Sequence, residues 1–157
     1  MTIKTRFNAK NHKIYNPKNV NKYRGTYPII MRSSWETAFA RWCDMNPLVI
    51  SWSSENIDIP YKHPFKTTTK GLPKTTRYYP DFLIEVKTEI GAVKWLIEIK
   101  PYKETKQPIL NGKKKRKTMI YEQRTWKVNK AKWIAAERYC KRFGWTFKII
   151  TEKELLR

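Results

Sequence analysis

Acidic residues are the scarcest chemistry in this chain: 13 Asp and Glu stand against 34 Lys and Arg over 157 residues, a formal net charge of +21. A surplus of that size calls for a polyanionic partner. No apolar run approaches the roughly 18 residues of a membrane span, and no basic amphipathic helix dominates, so the partner reads as nucleic acid rather than membrane. The charged N-terminus lacks the apolar core of a signal peptide, so the expected location is cytoplasmic. Cysteine and histidine are also short, with two of each. Cys43 and Cys140 have no C-x-x-C spacing, and His12 and His63 are too scattered to complete a zinc site. Both cysteines read as buried apolar residues in a reducing compartment. Nothing calls for an organic cofactor.

Aromatic and aliphatic content is that of a folded protein, and the length suits one domain with a real core. Residues 1–32 carry eight Lys or Arg, no acid, and interspersed Asn, Pro and Gly. They read as an extended basic arm ahead of a single domain at 33–157, with Arg24 and Arg32 among its phosphate contacts. A second basic segment, the loop at 102–118, contains Lys113, Lys114, Lys115, Arg116 and Lys117, which read as contacts to a phosphate backbone.

The few acids are not scattered at random. Residues 79–87 and 93–100 are rich in β-branched and aromatic residues and flank the turn Thr88-Glu89-Ile90-Gly91, so they read as an antiparallel hairpin. In the second strand Val93, Trp95, Ile97 and Ile99 alternate with Lys94, Leu96, Glu98 and Lys100, which puts Glu98 and Lys100 on one face and turns Ile99 into a core. A turn centred between Glu89 and Ile90 sets Asp81 opposite Glu98, with Cβ atoms about 5 Å apart. Like charges so placed repel unless a cation lies between them. Mg²⁺, with Mn²⁺ as a substitute, suits two carboxylates whose remaining ligands are water and phosphate. Lys100 on the same face is placed to stabilise charge building on a phosphate. A one-residue slip would send Asp81 to the other face.

A third acid opens a helix expected at 34–46. Trp35, Ala38, Phe39 and Trp42 recur at helical spacing, and Glu36 in the first turn flanks that stripe. Ser33-x-x-Glu36 is also a capping box, so Glu36 has a structural role open to it as well as a place near the metal site.

The elements Tyr79-Pro80-Asp81 and Glu98-Ile99-Lys100 resemble the PD and E-x-K motifs of the PD-(D/E)xK nuclease superfamily. Asn21 to Gly25, Arg32 to Glu36, Ile50 to Glu55, Ile97 to Pro101, Lys103-Glu104-Thr105 and Thr125 to Asn129 are similar, in order, to the head-completion nucleases of T4-type tailed phages. They are also similar to the endonuclease subunit of Tn7-type transposases. The resemblance implies a restriction-endonuclease-like α/β fold, a mixed β-sheet flanked by helices. It implies metal-dependent DNA cleavage by Glu36, Asp81, Glu98 and Lys100, with the metal held by Asp81, Glu98 and the Ile99 carbonyl. It further implies action after DNA packaging and before tail joining, with a capsid, portal or neck protein as a partner. Two other readings stay open: a non-catalytic DNA-binding protein of the head or neck, and a transposase or repair-type endonuclease.

The remaining elements complete the expected order. Leu48–Trp52 and Asn56–Ile59 read as short strands, and 62–76 as a polar loop bordering the DNA groove. Asn129–Phe143 reads as a helix with Trp133, Ala136, Cys140 and Phe143 on one side, stopped by Gly144. Asn129 and Lys132 at its start have the active-site groove open to them, with a capping asparagine and a solvated lysine the preferred readings. Residues 145–150 read as a strand, followed by a short helix capped by Thr151 with Glu154 three residues on.

Overall fold

The computed structural model describes residues 12–155, and the first eleven residues of the expected arm lie outside them. Its centre is a four-stranded mixed sheet in the order β3 (Val49–Ser54), β6 (Phe82–Thr88), β7 (Gly91–Ile99), β8 (Thr146–Ile150). The β6–β7 hairpin has the expected register, Phe82 facing Ile97 and Thr88 facing Gly91. β8 runs parallel to β7, with Ile149 beside Glu98. Leu96, Ile97, Glu98 and Ile99 are therefore buried on both faces of the sheet.

One face is covered by α1 (Ser34–Met45), which packs Phe39, Ala40 and Cys43 on Phe82, Ile84, Ile97 and Ile99. The expected stripe is rotated: Ala38 and Trp42 are exposed, and Asp44 is fully buried. Asp44 explains the rotation. Its carboxylate accepts hydrogen bonds from the Lys18 and Asn19 backbone N–H groups (2.7 and 2.9 Å) and from the Tyr15 hydroxyl (3.1 Å). Burial alone would raise its pKa, but these donors outweigh burial and lower it.

The same bonds correct the reading of residues 12–32 as an extended arm. β1 (Lys13–Tyr15) pairs with β2 (Ile29–Met31), and Tyr23, Ile29 and Met31 are core residues. Tyr15 and Tyr23 both meet the Trp52 indole, at ring-centroid distances of 5.7 and 4.7 Å. The basic composition of the segment hides these apolar and aromatic anchors.

The opposite face is covered by α2 (Arg116–Phe143) and by a hairpin of β4 (Ile59–Thr67) and β5 (Pro73–Tyr78). The segment at 62–76 is thus mostly strand rather than polar loop, with Ile59 opposite Tyr78 and Lys62 opposite Thr75. Ile59, Tyr61 and Tyr78 are buried with Ala136 and Cys140 of α2, while the intervening Pro60 and Lys62 face water. α2 begins thirteen residues before the expected Asn129, which makes Asn129 a buried mid-helix residue rather than a cap. Gly144 ends it at φ 69°, as the left-handed stop requires, but Phe143 is about half exposed. The last helix, α3 (Glu152–Leu155), has the expected reciprocal cap: Glu154 Oε2 accepts the Thr151 N–H at 2.8 Å. Among the described residues no helix is long and apolar enough to cross a membrane.

Candidate active site

Asp81 lies just before β6, and one more step of the β6–β7 register places it opposite Glu98. Its carbonyl accepts the Glu55 N–H on the β3 side (3.0 Å), as a residue in a non-hydrogen-bonded pair with β7 should. Such pairs bring side chains closest. The Asp81 carboxylate reaches along β7 and its Oδ2 accepts the Ile99 N–H at 2.7 Å. Because N–H and C=O of one strand residue point the same way, the Ile99 carbonyl also faces the Asp81 side.

Glu98 is buried, with 5% of its surface accessible, and is held from two directions. The Tyr78 hydroxyl donates to Oε2 at 2.6 Å, and Lys100 Nζ lies 3.2 Å from Oε1. The period of two therefore delivers Glu98 and Lys100 to one face, as the sequence indicates, while β5 adds Tyr78 from outside the hairpin. Burial and the facing Glu98 charge, with a smaller push from Glu36, raise the Asp81 carboxyl well above the ordinary range. Burial opposes ionisation of Lys100, yet Glu98 and Asp81 together raise its pKa, so the amine stays cationic.

Glu36 serves the helix start. The Ser33 hydroxyl accepts the Glu36 N–H at 3.1 Å, and the Glu36 carboxylate accepts the Arg32 N–H at 2.9 Å, one residue earlier than in the usual reciprocal box. Its carboxyl is raised, first by burial and then by Glu55. It stands within electrostatic reach of Asp81, but among the described residues no three Asp, Glu, His or Cys side chains converge as a metal cluster. The site is a carboxylate pair with a third acid behind it.

Arg32 sits at this rim rather than on a free arm. Its guanidinium makes a two-point bond to Glu55, at 2.9 and 3.0 Å, and it feels the charges of Glu36 and Asp81. Glu55 adopts φ 45°, a left-handed conformation uncommon for a side-chain-bearing residue, at the point where its N–H meets Asp81. Arg24 is exposed and fixed through its backbone N–H to Trp52.

The basic run divides. Lys113 and Lys114 precede α2, Lys115 caps it without a side-chain bond, and Arg116 and Lys117 form its first turn. Lys114 pairs with Glu122 at 2.7 Å. The other four are exposed at a helix N-terminus, where their charge adds to the positive end of the dipole. None makes a hydrogen bond or ion pair with Asp81, Glu98 or Lys100.

Two neighbours, Tyr78 and Glu55, escaped sequence reasoning, and a third, Lys132, read as solvated in preference to facing the groove. Lys132 is half-buried, not solvated, with Nζ 5.5 Å from the centre of the Tyr78 ring. A lysine three residues after Asn129, beside the Asn129-Trp133-Ala136 stripe, was the available signal.

Residues 46–152 match the model of the TnsA-like endonuclease N-terminal family. The chain belongs to the TnsA-like endonuclease family. Asp81, Glu98 and Lys100 lie inside the matched segment of this TnsA-like chain, whereas Glu36 lies ahead of it. The chain is also similar to the head completion nuclease of Enterobacteria phage T4, 40% identical over 146 residues, which cover 88% of this chain and 89% of that one. The family match agrees with the expected restriction-endonuclease-like arrangement of a mixed sheet between helices, and both comparisons agree with a nuclease rather than a passive DNA-binding plug.

Proposed function

We propose that this TnsA-like endonuclease completes phage heads by hydrolysing phosphodiester bonds of DNA at the Asp81–Glu98–Lys100 site, with Mg²⁺ or Mn²⁺ as cofactor. The observation that carries the reading is the facing carboxylate pair, Glu98 buried and Asp81 half-buried beside it. Two facing anions are destabilising by themselves, one lysine pairs with only one of them, and all donors are oxygen, the set that suits a hard divalent ion. Asp81 and Glu98 would hold the ion with the Ile99 carbonyl, and it would supply Lewis acidity toward a phosphoryl oxygen.

The chain's own groups do the rest. The Ile99 N–H and the Tyr78 hydroxyl each fix one carboxylate oxygen, so the pair is oriented before substrate arrives. Lys100, anchored on Glu98, presents a permanent cation where negative charge builds as the phosphorus gains a fifth oxygen. Glu36 adds negative charge behind Asp81 and strengthens its hold on a cation. A capsid, portal or neck protein is the proposed docking partner, in keeping with action between DNA packaging and tail joining.

Incubation with linear, circular and branched DNA should give cleavage with Mg²⁺ or Mn²⁺ and none in EDTA. Equal cleavage in EDTA would remove the metal from the proposal, and no cleavage of any form with either ion would remove the activity.

Glu36→Gln separates the two roles of that residue. Glutamine retains an oxygen for the Arg32 N–H, so the melting temperature should stay put, whereas loss of the charge should lower cleavage about 10–100-fold, the usual cost of disturbing an outer partner of a metal site. Wild-type rates would leave Glu36 a capping residue alone.

A further inference from the structure

Lys132 is out of place as a structural residue. Its amine is half-buried over the Tyr78 ring, and among the described residues it forms no ion pair. Desolvation of an ammonium is unfavourable unless a counter-charge compensates it. The carboxylates of Glu98 and Asp81 attract it, but burial and the cations of Lys100 and Lys66 prevail and its pKa falls. Lys132 is thus left with no carboxylate at ion-pair distance although the site holds two.

Burial lowers the His63 pKa on β4, and so do the charges of Lys66, Lys132 and Arg124, so all three cations act on one imidazole. Arg124 lies on α2, with its guanidinium 4.2 Å from the centre of the Phe65 ring on β4. It borders a groove of about 350 Å³ between β4 and α2, whose walls include Phe65, Leu110, Arg116 and Lys127. Lys66 and Arg124 are exposed, and neither has a carboxylate partner. The hairpin and α2 thus hold cations without ion-pair partners, and the innermost, Lys132, lies over the Tyr78 ring whose hydroxyl binds Glu98.

We propose that Lys132, Lys66 and Arg124 form a phosphate track that seats the backbone of duplex DNA against the site, with Lys132 on the phosphate next to the one cleaved. This rests on the DNA-cleavage reading and deepens it. The track contacts phosphates only and is indifferent to sequence, because lysine and arginine directed at backbone oxygens carry no base information. Lys132 is a substrate-binding group, in contrast to Lys100, whose partner is a site carboxylate.

Binding of a short duplex, followed by fluorescence anisotropy in EDTA in an Asp81→Asn background, tests the track without any cleavage. Lys132→Gln, Lys66→Gln and Arg124→Gln should each weaken binding on the order of tenfold at low salt and reduce the slope of log K against log salt by about 0.9. Lys132→Arg should restore the slope. Lys87→Gln, beside the β6–β7 turn, should leave it unchanged. In the cleaving protein, Lys132→Gln should raise KM more than it lowers kcat. If Lys132→Gln fails to fold, the two exposed variants decide alone. Wild-type slopes in the neutralised variants, or an equal effect from Lys87→Gln, would overturn the track while leaving the endonuclease assignment intact. A parent protein that binds no duplex at low salt would remove the DNA reading and the track with it.

Discussion

Asp81→Asn should abolish metal-dependent cleavage and at the same time raise the melting temperature of the metal-free protein. The first effect follows from loss of one of two carboxylates that would hold the ion: several kcal/mol of charge stabilisation disappears, more than about 10³-fold in rate. The second follows from the same geometry. The substituted asparagine would keep an oxygen for the Ile99 N–H, so no buried donor is stranded, while repulsion with the buried Glu98 is removed. A gain of about 1 kcal/mol corresponds to roughly 2–4 °C for a chain of this size.

The gain has a pH dependence of definite sign. A carboxyl whose pKa is raised on folding favours the native state below its ordinary value, near about pH 4, and that contribution is lost as pH rises through the raised value. The variant's advantage should therefore be present at neutral pH and vanish toward about pH 4. Mg²⁺ should reverse the order, stabilising wild type and leaving the variant unmoved. Calorimetry in EDTA and in Mg²⁺ reads all three effects. Unaltered cleavage by the variant, or a wild-type Mg²⁺ shift, would sink the assignment of Asp81.

Lys100→Ala should lower kcat about 10²–10³-fold, the cost of removing one group that stabilises transition-state charge. Here stability should move the other way from Asp81→Asn. Glu98 loses the ion-pair partner at 3.2 Å and keeps only the Tyr78 hydroxyl, which leaves a buried carboxylate half-compensated. A fully buried pair broken in this way costs about 3–5 kcal/mol, but Lys100 retains a quarter of its side-chain exposure and Tyr78 remains, so on the order of 1–2 kcal/mol is expected. Duplex binding in EDTA should change little, since Lys100 is committed to Glu98. Single-turnover cleavage with saturating enzyme isolates the chemical step. A Lys100→Ala protein with wild-type single-turnover rate would make Lys100 a structural counter-ion only.

The carboxylate pair was legible because its geometry is local. Alternation along Val93 to Lys100 assigns faces within one strand, and the short turn at Glu89–Ile90 fixes which residues meet across the hairpin. Ser33 and Glu36, Gly144, and Thr151 with Glu154 are likewise local: each satisfies backbone groups within four residues of itself. Charge gave the nature of the partner for a similar reason, since net charge needs no coordinates.

What the tertiary structure decided is everything that reaches the site from elsewhere. Lys132 read as a solvated lysine because the helix period cannot say that α2 lies over the Glu98 face of the sheet. Tyr78 fell just beyond what read as a polar loop, since Lys, Thr and Pro on the outward positions of β4 and β5 mask the inward Ile59, Tyr61 and Tyr78. Tyr23, Ile29 and Met31 were lost in a basic segment until Asp44 and Trp52 drew it onto the core. A sequence fixes faces and registers through backbone periodicity and short turns. Which face covers which, and therefore which cations and hydroxyls surround Asp81 and Glu98, depends on contacts between residues tens of positions apart, and only burial of the whole core selects those.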